Sequence, residues 1–385
     1  MRLHYLDWLR VLAILGVFLY HAVHPFDLTG WHIKNAEQST ALTVVIVFFS
    51  LWGMPFFFLI AGTGSWFALR RRTAGQYASE RFKRLLIPFV VGAILFMPIM
   101  LYFEWSHKTQ AGALAVSFQE FVTDRNVGFS PRWFGALGYH LWYLGFLFSF
   151  ALITLPLFLW LKGASGQRIL SRIARRCERR GGILLFVLPL LLVQLGLRPF
   201  FLDEHDWADF VFRMSFFVLG YVLFTDERFT RAIRRDWRII LAAAIGAWVL
   251  LMGMLATGDP FTWAETPGIP EFYLVWSLIT VSAWCWTVFV LFVGIRFLDF
   301  SNAWLRYGQE GVLPFFVVHQ PVIIVIAFFV VQWNVGVPIK MLTVVLGSFV
   351  ISVGLYELVI KRIDLLRAVF GMKSPRLDTA QVGTG

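Results

Sequence analysis

Residues 7–26, DWLRVLAILGVFLYHAVHPF, carry Asp7, Arg10, His21 and His24 in an otherwise apolar run. An α-helix turns by about 100° per residue, so Arg10 and His21 differ by roughly 20° after three turns. Asp7 and His24 fall within about 60° of the same line. The rise from Arg10 to His21 is about 16 Å. Such a polar stripe is costly in lipid and must face a bundle interior or a wet cavity. Its imidazoles are the groups that exchange protons near neutral pH, and its guanidinium suits an anion. Arg10 also reads as a snorkelling anchor and Asp7 as a partner for the helix N-terminus. His21, in line with Arg10, reads as functional.

Further candidates lie along the chain. In RFKR, Arg81 and Arg84 are three apart and share a helical face. They serve either as charge anchors or as a phosphate-recognising pair. GYHLWYLGFL brings His140, Trp142 and Tyr143 to the expected outer interface of a fourth span. The 106–138 connection mixes His107, Glu120, Asp124, Arg125, Asn126 and Trp133, which suits a carbohydrate or simply a solvated loop. YGQEGVLPFFVVHQPVII puts Glu310 at the inner end of a ninth span, a kinking Pro314 within it, and His319 and Gln320 near its middle. Glu310 and His319 are about 180° apart around that helix. Gly62, Thr63, Gly64 and Ser65 allow a neighbouring helix to approach closely, and Arg213 is expected to pair with a carboxylate of DEHDWAD.

The elements that position these groups are membrane helices. The chain has 385 residues, 58% hydrophobic, 18% aromatic and 15% charged, far from a soluble domain. Apolar runs at 9–26, 42–68, 85–105, 139–161, 183–200, 208–224, 239–257, 274–295, 312–332 and 340–360 predict an all-α polytopic protein of ten transmembrane helices. Alternate connections differ sharply in charge. On one side lie only Lys34, Lys108, Arg125, Arg132, Arg198 and Lys340; apart from Arg213, within a span, every other Lys and Arg lies on the opposite side. This asymmetry predicts N-in, C-in. The net charge of +11 is therefore topological, with no nucleic-acid partner implied. Residues 162–182 predict a basic amphipathic helix on the inner leaflet. Cys177 and Cys285 form no disulfide framework, and the first span reads as a retained anchor. Residues 1–373 read as one ten-helix membrane domain and 374–385 as a disordered cytoplasmic tail. Neither an internal repeat nor a Walker or GxGxxG loop is present.

YLDWLRVLAILGVFLYHA, RFKR, HLWYL and LPFFVVHQP, in that order, resemble the acyltransferase-3 membrane proteins. That family includes polysaccharide O-acetyltransferases and glucan succinyltransferases, and QEGVLPFFVVHQP looks closer to the latter. The resemblance reaches residue 360 or so, without the extra hydrolase-like domain of some relatives. It implies a multi-pass protein of the inner (plasma) membrane that uses acyl-CoA, acetyl or succinyl, as donor substrate and holds no permanent cofactor or metal. The implied acceptor is a glycan or glycolipid outside, with a homodimer as one possible assembly. Essential roles fall on Arg10, His21, Arg81 and Arg84. Acyl transfer to a hydroxyl needs a base, which His21 supplies, while Arg10, Arg81 and Arg84 hold the CoA diphosphate. His24, His140, Trp142, Tyr143, Glu310, His319 and Gln320 are the candidates for substrate contact. Direct transfer and an acyl-His intermediate both remain open. Two other classes fit the same residues: haem ligation by His21, His24, His140 and His319, or a proton relay through Arg10, Arg213, Glu310 and His319. A reporter fused after Arg176 is expected to read cytoplasmic and one near Asn126 external; opposite readings overturn the span assignment.

Overall fold

The computed structural model describes residues 3–110 and 131–372. Among them there is no strand. The helices are α1 (His4–Val23), α2 (Thr40–Leu69), α3 (Ala74–Arg81), α4 (Ile87–Gln110), α5 (Arg132–Gly138), α6 (Trp142–Ile153), α7 (Leu155–Lys162), α8 (Ala164–Cys177), α9 (Val187–Leu197), α10 (Trp207–Leu223), α11 (Glu227–Thr257), α12 (Pro260–Ala264), α13 (Pro270–Phe297), α14 (Ala303–Val330), α15 (Val337–Leu358) and α16 (Asp364–Val369). Nine helical stretches among the described residues are long and apolar enough to cross a membrane. The outer surface is greasy, with Ile94 68%, Leu192 76% and Val350 66% exposed. Polar side chains such as His319, Thr63 and Ser348 are buried. That inversion of the soluble pattern is what a bilayer solvent demands. The predicted tail and most of the outer 106–138 connection lie outside the described residues.

The expected sixth span is α10, of 17 residues. It rises about 25 Å. Phe212, Phe216, Phe217 and Tyr221 bury it among its neighbours. Its crossing with α2 is backbone on backbone. A Cβ on Gly62 would stand 1.9 Å from the Phe217 carbonyl oxygen, and one on Gly220 1.9 Å from that of Leu59. Gly64 serves differently, leaving room for the Arg10 guanidinium 3.1 Å from where its Cβ would be. Ser65 hydrogen-bonds the Tyr77 hydroxyl at 2.8 Å.

The two ends of the bundle are distinct. At one end the His4 amide meets Asp299, Arg84 meets the Gly371 carbonyl, Lys162 meets the Leu69 carbonyl, and Glu310 lies by Lys361 and Arg367. At the other end Lys34 meets Asp27, His32 meets Glu104, and Lys340 meets Asn35. The connections thus segregate in the alternating pattern that the basic residues follow.

α1 sits among α2, α13, α14 and α15. Leu9 fills the space above Gly294, Val11 that above Gly308, and Phe18 meets Phe315 and Phe349. Leu12 and Leu19, one heptad apart, are the exposed face, so the polar stripe turns inward as expected.

The fourth span differs from expectation. It begins at Arg132 and runs to Ile153, and α6 continues from a break at Tyr139, whose φ is 50°. A non-glycine residue in that conformation ends a helix. His140 and Tyr143 consequently lie inside the bundle, beside His319 and Arg10 respectively, while the Trp142 ring stays against His205 of the 201–206 connection.

Gly62→Val and Gly220→Val are each expected to cost about 3 kcal/mol or more, since a backbone carbonyl cannot step aside as a side chain can. Gly246→Val, where an added Cβ meets nothing within 4 Å, should change stability by under about 0.5 kcal/mol. Thermal midpoints in detergent decide this; equal tolerance at all three positions would refute the crossing.

Candidate active site

His21 on α1 and His319 on α14 meet nitrogen to nitrogen, Nδ1 to Nε2, at 3.0 Å. The other nitrogen of His319, Nδ1, is 2.6 Å from the Phe316 carbonyl oxygen. A carbonyl only accepts, so Nδ1 of His319 carries its proton and Nε2 of the neutral ring is an acceptor. His21 must then donate from Nδ1. Its Nε2 keeps an unprotonated lone pair that no other described residue claims. His319 is fully buried, packed between Phe315 and Phe316, whereas His21 is partly exposed.

Three more imidazoles surround this pair. His24, His32 and His140 all lie close enough to act electrostatically on His21. His140 donates from Nε2 to the Val317 carbonyl at 3.1 Å and sets its ring edge-on to His319. Its Nδ1 is buried with no partner. His32 donates from Nδ1 to Glu104 at 2.7 Å and accepts from the Gln320 amide at 3.1 Å. Gln320 thereby presents a buried Oε1 with no hydrogen bond. His24 Nδ1 lies 2.6 Å from an Asp27 oxygen, and the Trp31 ring stacks on His24 at 5.4 Å and on His21 at 6.4 Å. Burial alone would raise the Asp27 carboxyl, but hydrogen bonds from His24, Thr29 and Lys34 outweigh it and hold the group below the usual range. Among the described residues no group of three or more His, Cys, Asp or Glu is arranged to hold a metal ion.

Trp31, His32, Asp27 and Glu104 were not among the residues picked out by spacing. Glu104 was visible as an isolated carboxylate ending an apolar run, with Lys108 one turn on at 2.5 Å. His32 gave no comparable signal, since its partners are 72 and 288 residues away.

At the opposite end of α1, Arg10 pairs with Asp7 at 3.4 Å. Arg81, Arg84 and Tyr143 are close enough to act electrostatically on it. α3 passes into α4 through a π-helical turn, Phe82–Leu86, that directly follows Arg81 and contains Arg84. Such turns cost regular hydrogen bonding and recur at functional sites. The two arginines are held differently. Arg81 lies over the Tyr77 ring at 4.8 Å with a buried Nε lacking any partner, and Arg84 reaches Glu80 and Gly371.

Two expected contacts go elsewhere. Glu310 is 42% exposed and lies 3.9 Å from Lys361 and 3.8 Å from Arg367. The half-turn offset of nine residues removes it from the histidines. The Trp142 ring packs on His205 at 4.3 Å and carries the Arg213 guanidinium at 4.7 Å. Arg213 bonds Asp209 at 3.0 Å, the expected pairing, and Arg198 bonds the same carboxylate. Burial, then the nearby Arg213, push the His205 imidazole down to about 3, so this histidine is neutral at physiological pH and packs as an aromatic.

Residues 3–357 match the family model described as an acyltransferase domain. The chain belongs to the acyltransferase-3 family. Glucans biosynthesis protein C of Salmonella schwarzengrund is 24% identical over 408 residues, an alignment covering 100% of this chain and 98% of that protein. The protein of the same name from Salmonella paratyphi A is 23% identical over 401 residues, with the same coverage. No solved structure matches the chain significantly. As an acyltransferase-3 member the chain is a multi-pass membrane acyltransferase, and its histidine group and arginine mouth stand at opposite ends of the α1 stripe.

Proposed function

We propose that the chain moves an acyl group, acetyl or succinyl, from acyl-CoA on the cytoplasmic side to a hydroxyl of a glycan outside, in the inner (plasma) membrane. The acceptor class is a glucan, a reading supported by the name that the Salmonella relatives carry. N-in, C-in orientation, supported by the basic asymmetry, puts Arg10, Arg81 and Arg84 at the cytoplasmic mouth.

The observation that carries this reading is the hydrogen-bond relay from His21 through His319 to the Phe316 carbonyl. It leaves Nε2 of His21 as the open base. In the proposed step the acceptor hydroxyl gives its proton to that nitrogen as its oxygen attacks the thioester carbonyl. The tetrahedral intermediate then collapses, the carbon–sulfur bond breaks, and the leaving CoA sulfur takes the proton back from His21. The imidazolium formed in between still donates through Nδ1 to His319, so His319 positions the base and supports its charged form. Gln320 Oε1 and the His24–Asp27 and His32–Glu104 pairs supply acceptors for sugar hydroxyls. The CoA diphosphate rests on Arg10, Arg81 and Arg84, whose forked guanidiniums suit it, and its arm spans the roughly 16 Å to His21.

Transfer of label from acyl-CoA to glucan in membrane vesicles tests the base. His21→Ala is expected to lower the rate on the order of 10²-fold or more while CoA binding persists. His319→Gln, which still accepts from His21, should keep more activity than the apolar His319→Phe, with KM for acyl-CoA unchanged in both. Near-normal transfer by His21→Ala would mean that the base lies elsewhere.

The inner mouth is tested separately. Arg81→Gln with Arg84→Gln is expected to weaken acyl-CoA binding about tenfold or more without altering the amount of folded protein. Unchanged CoA affinity in detergent would reduce the pair to topology anchors.

A further inference from the structure

Away from the α1 stripe, at the end of the bundle that holds Arg84 and Lys162, a concave pocket of about 720 Å³ lies between α8 and the start of α9. Arg172, Arg175, Arg176, Arg179 and Arg180 line it, with Leu185 as its apolar wall. None of these five guanidiniums forms an ion pair or side-chain hydrogen bond among the described residues, and all five are exposed. The nearby basic residues behave differently. Arg228 is spent on Asp226 and Ser171, and Arg235 on Asp236.

The pocket is built rather than incidental. Arg235 binds the carbonyls of Cys177, Glu178 and Arg179, so its guanidinium staples the turn from behind. The buried Asp236 accepts from the Gly181 amide at 3.0 Å, and Gly181 has a φ of 74°, in the left-handed region that favours glycine. The loop is thus locked by two residues of α11 while its five arginines surround one hollow with one carboxylate, Glu178, in the same turn and no carboxylate bonded to any of the five among the described residues. Five like charges repel, so a multiply charged anion at their centre relieves the arrangement, and guanidinium forks match phosphate oxygens.

The uncharged wall says which anion. Leu185, Leu188 and Leu192 are spaced three and four apart, share one helical face and are 47%, 57% and 76% exposed. They form an apolar track leading from the pocket down the outside of α9. A soluble phosphate has no use for such a track; acyl chains do.

We propose that this pocket binds an anionic phospholipid, its headgroup phosphate on the five arginines and its chains along Leu185, Leu188 and Leu192. The site is independent of the acyl-transfer reading. Native mass spectrometry of the detergent-purified full chain, offered phosphatidylglycerol or phosphatidylcholine, tests it. Phosphatidylglycerol should be retained where phosphatidylcholine is lost, and Arg175→Gln/Arg176→Gln/Arg179→Gln should cut that retention at least about tenfold. Leu188→Gln/Leu192→Gln should weaken lipid retention and leave any binding of inorganic pyrophosphate alone. Equal retention of both lipids, or unchanged retention in a folded arginine variant, overturns the proposal. So does pyrophosphate displacing the lipid completely with no effect of the leucine changes, which marks a site for soluble phosphates. Should the triple variant not fold, the wild-type lipid preference and the leucine variant decide.

Discussion

The nitrogen-to-nitrogen contact between His21 and His319, two imidazoles held against each other inside an apolar bundle, is the constraint on which much of this structure depends. Nδ1 of His21 is held by His319, and His319 by a backbone carbonyl of its own helix. Because the last acceptor is a carbonyl and not a carboxylate, the relay carries no net charge at rest. Burying a full carboxylate there would carry a large desolvation cost. The chain instead keeps Asp27 and Glu104 toward the end of the bundle that holds Lys34 and Lys340, each met by an imidazole and a lysine ammonium.

Holding two rings nitrogen to nitrogen requires helices that do not drift. α1 is fixed by side chains seated on glycines of α13 and α14, and by Phe18 between Phe315 and Phe349. The α2–α10 crossing, where backbones touch at Gly62 and Gly220, supplies a second rigid pair. Close small-residue packing replaces the hydrophobic drive that lipid removes. Between these pairs α6 enters from a broken start at Tyr139, which sends His140 toward His319 and Tyr143 toward Arg10 and Arg81.

The stripe of Asp7, Arg10, His21 and His24 was legible because helical periodicity and the price of polarity in lipid are local properties. The same applies to the span pattern, to Gly62 as a close-approach site and to the Arg213–Asp209 pair. What escaped depends on distant segments or on backbone geometry. HLWYL was read as a span opening because nothing in the letters announces a positive φ at Tyr139. Glu310 and His319 share a motif but not a face, so proximity in sequence misled. His32 and Glu104 come together only through the fold, and RFKR does not reveal that a π turn runs through it.

The span of the His21–His319 bond along the chain bears on how the protein is made. Its partners are 298 residues apart, so at roughly 5–20 residues per second the first waits on the order of 15–60 s for the second. Over that interval α1 is already synthesised while α14 is not. Asp7 with Arg10 and His24 with Asp27 are pairs three residues apart, available before the second helix exists. His21 has no such local partner. In a nascent chain the ends of the first helix are therefore self-sufficient, and its histidine centre is completed only when the ninth apolar stretch arrives.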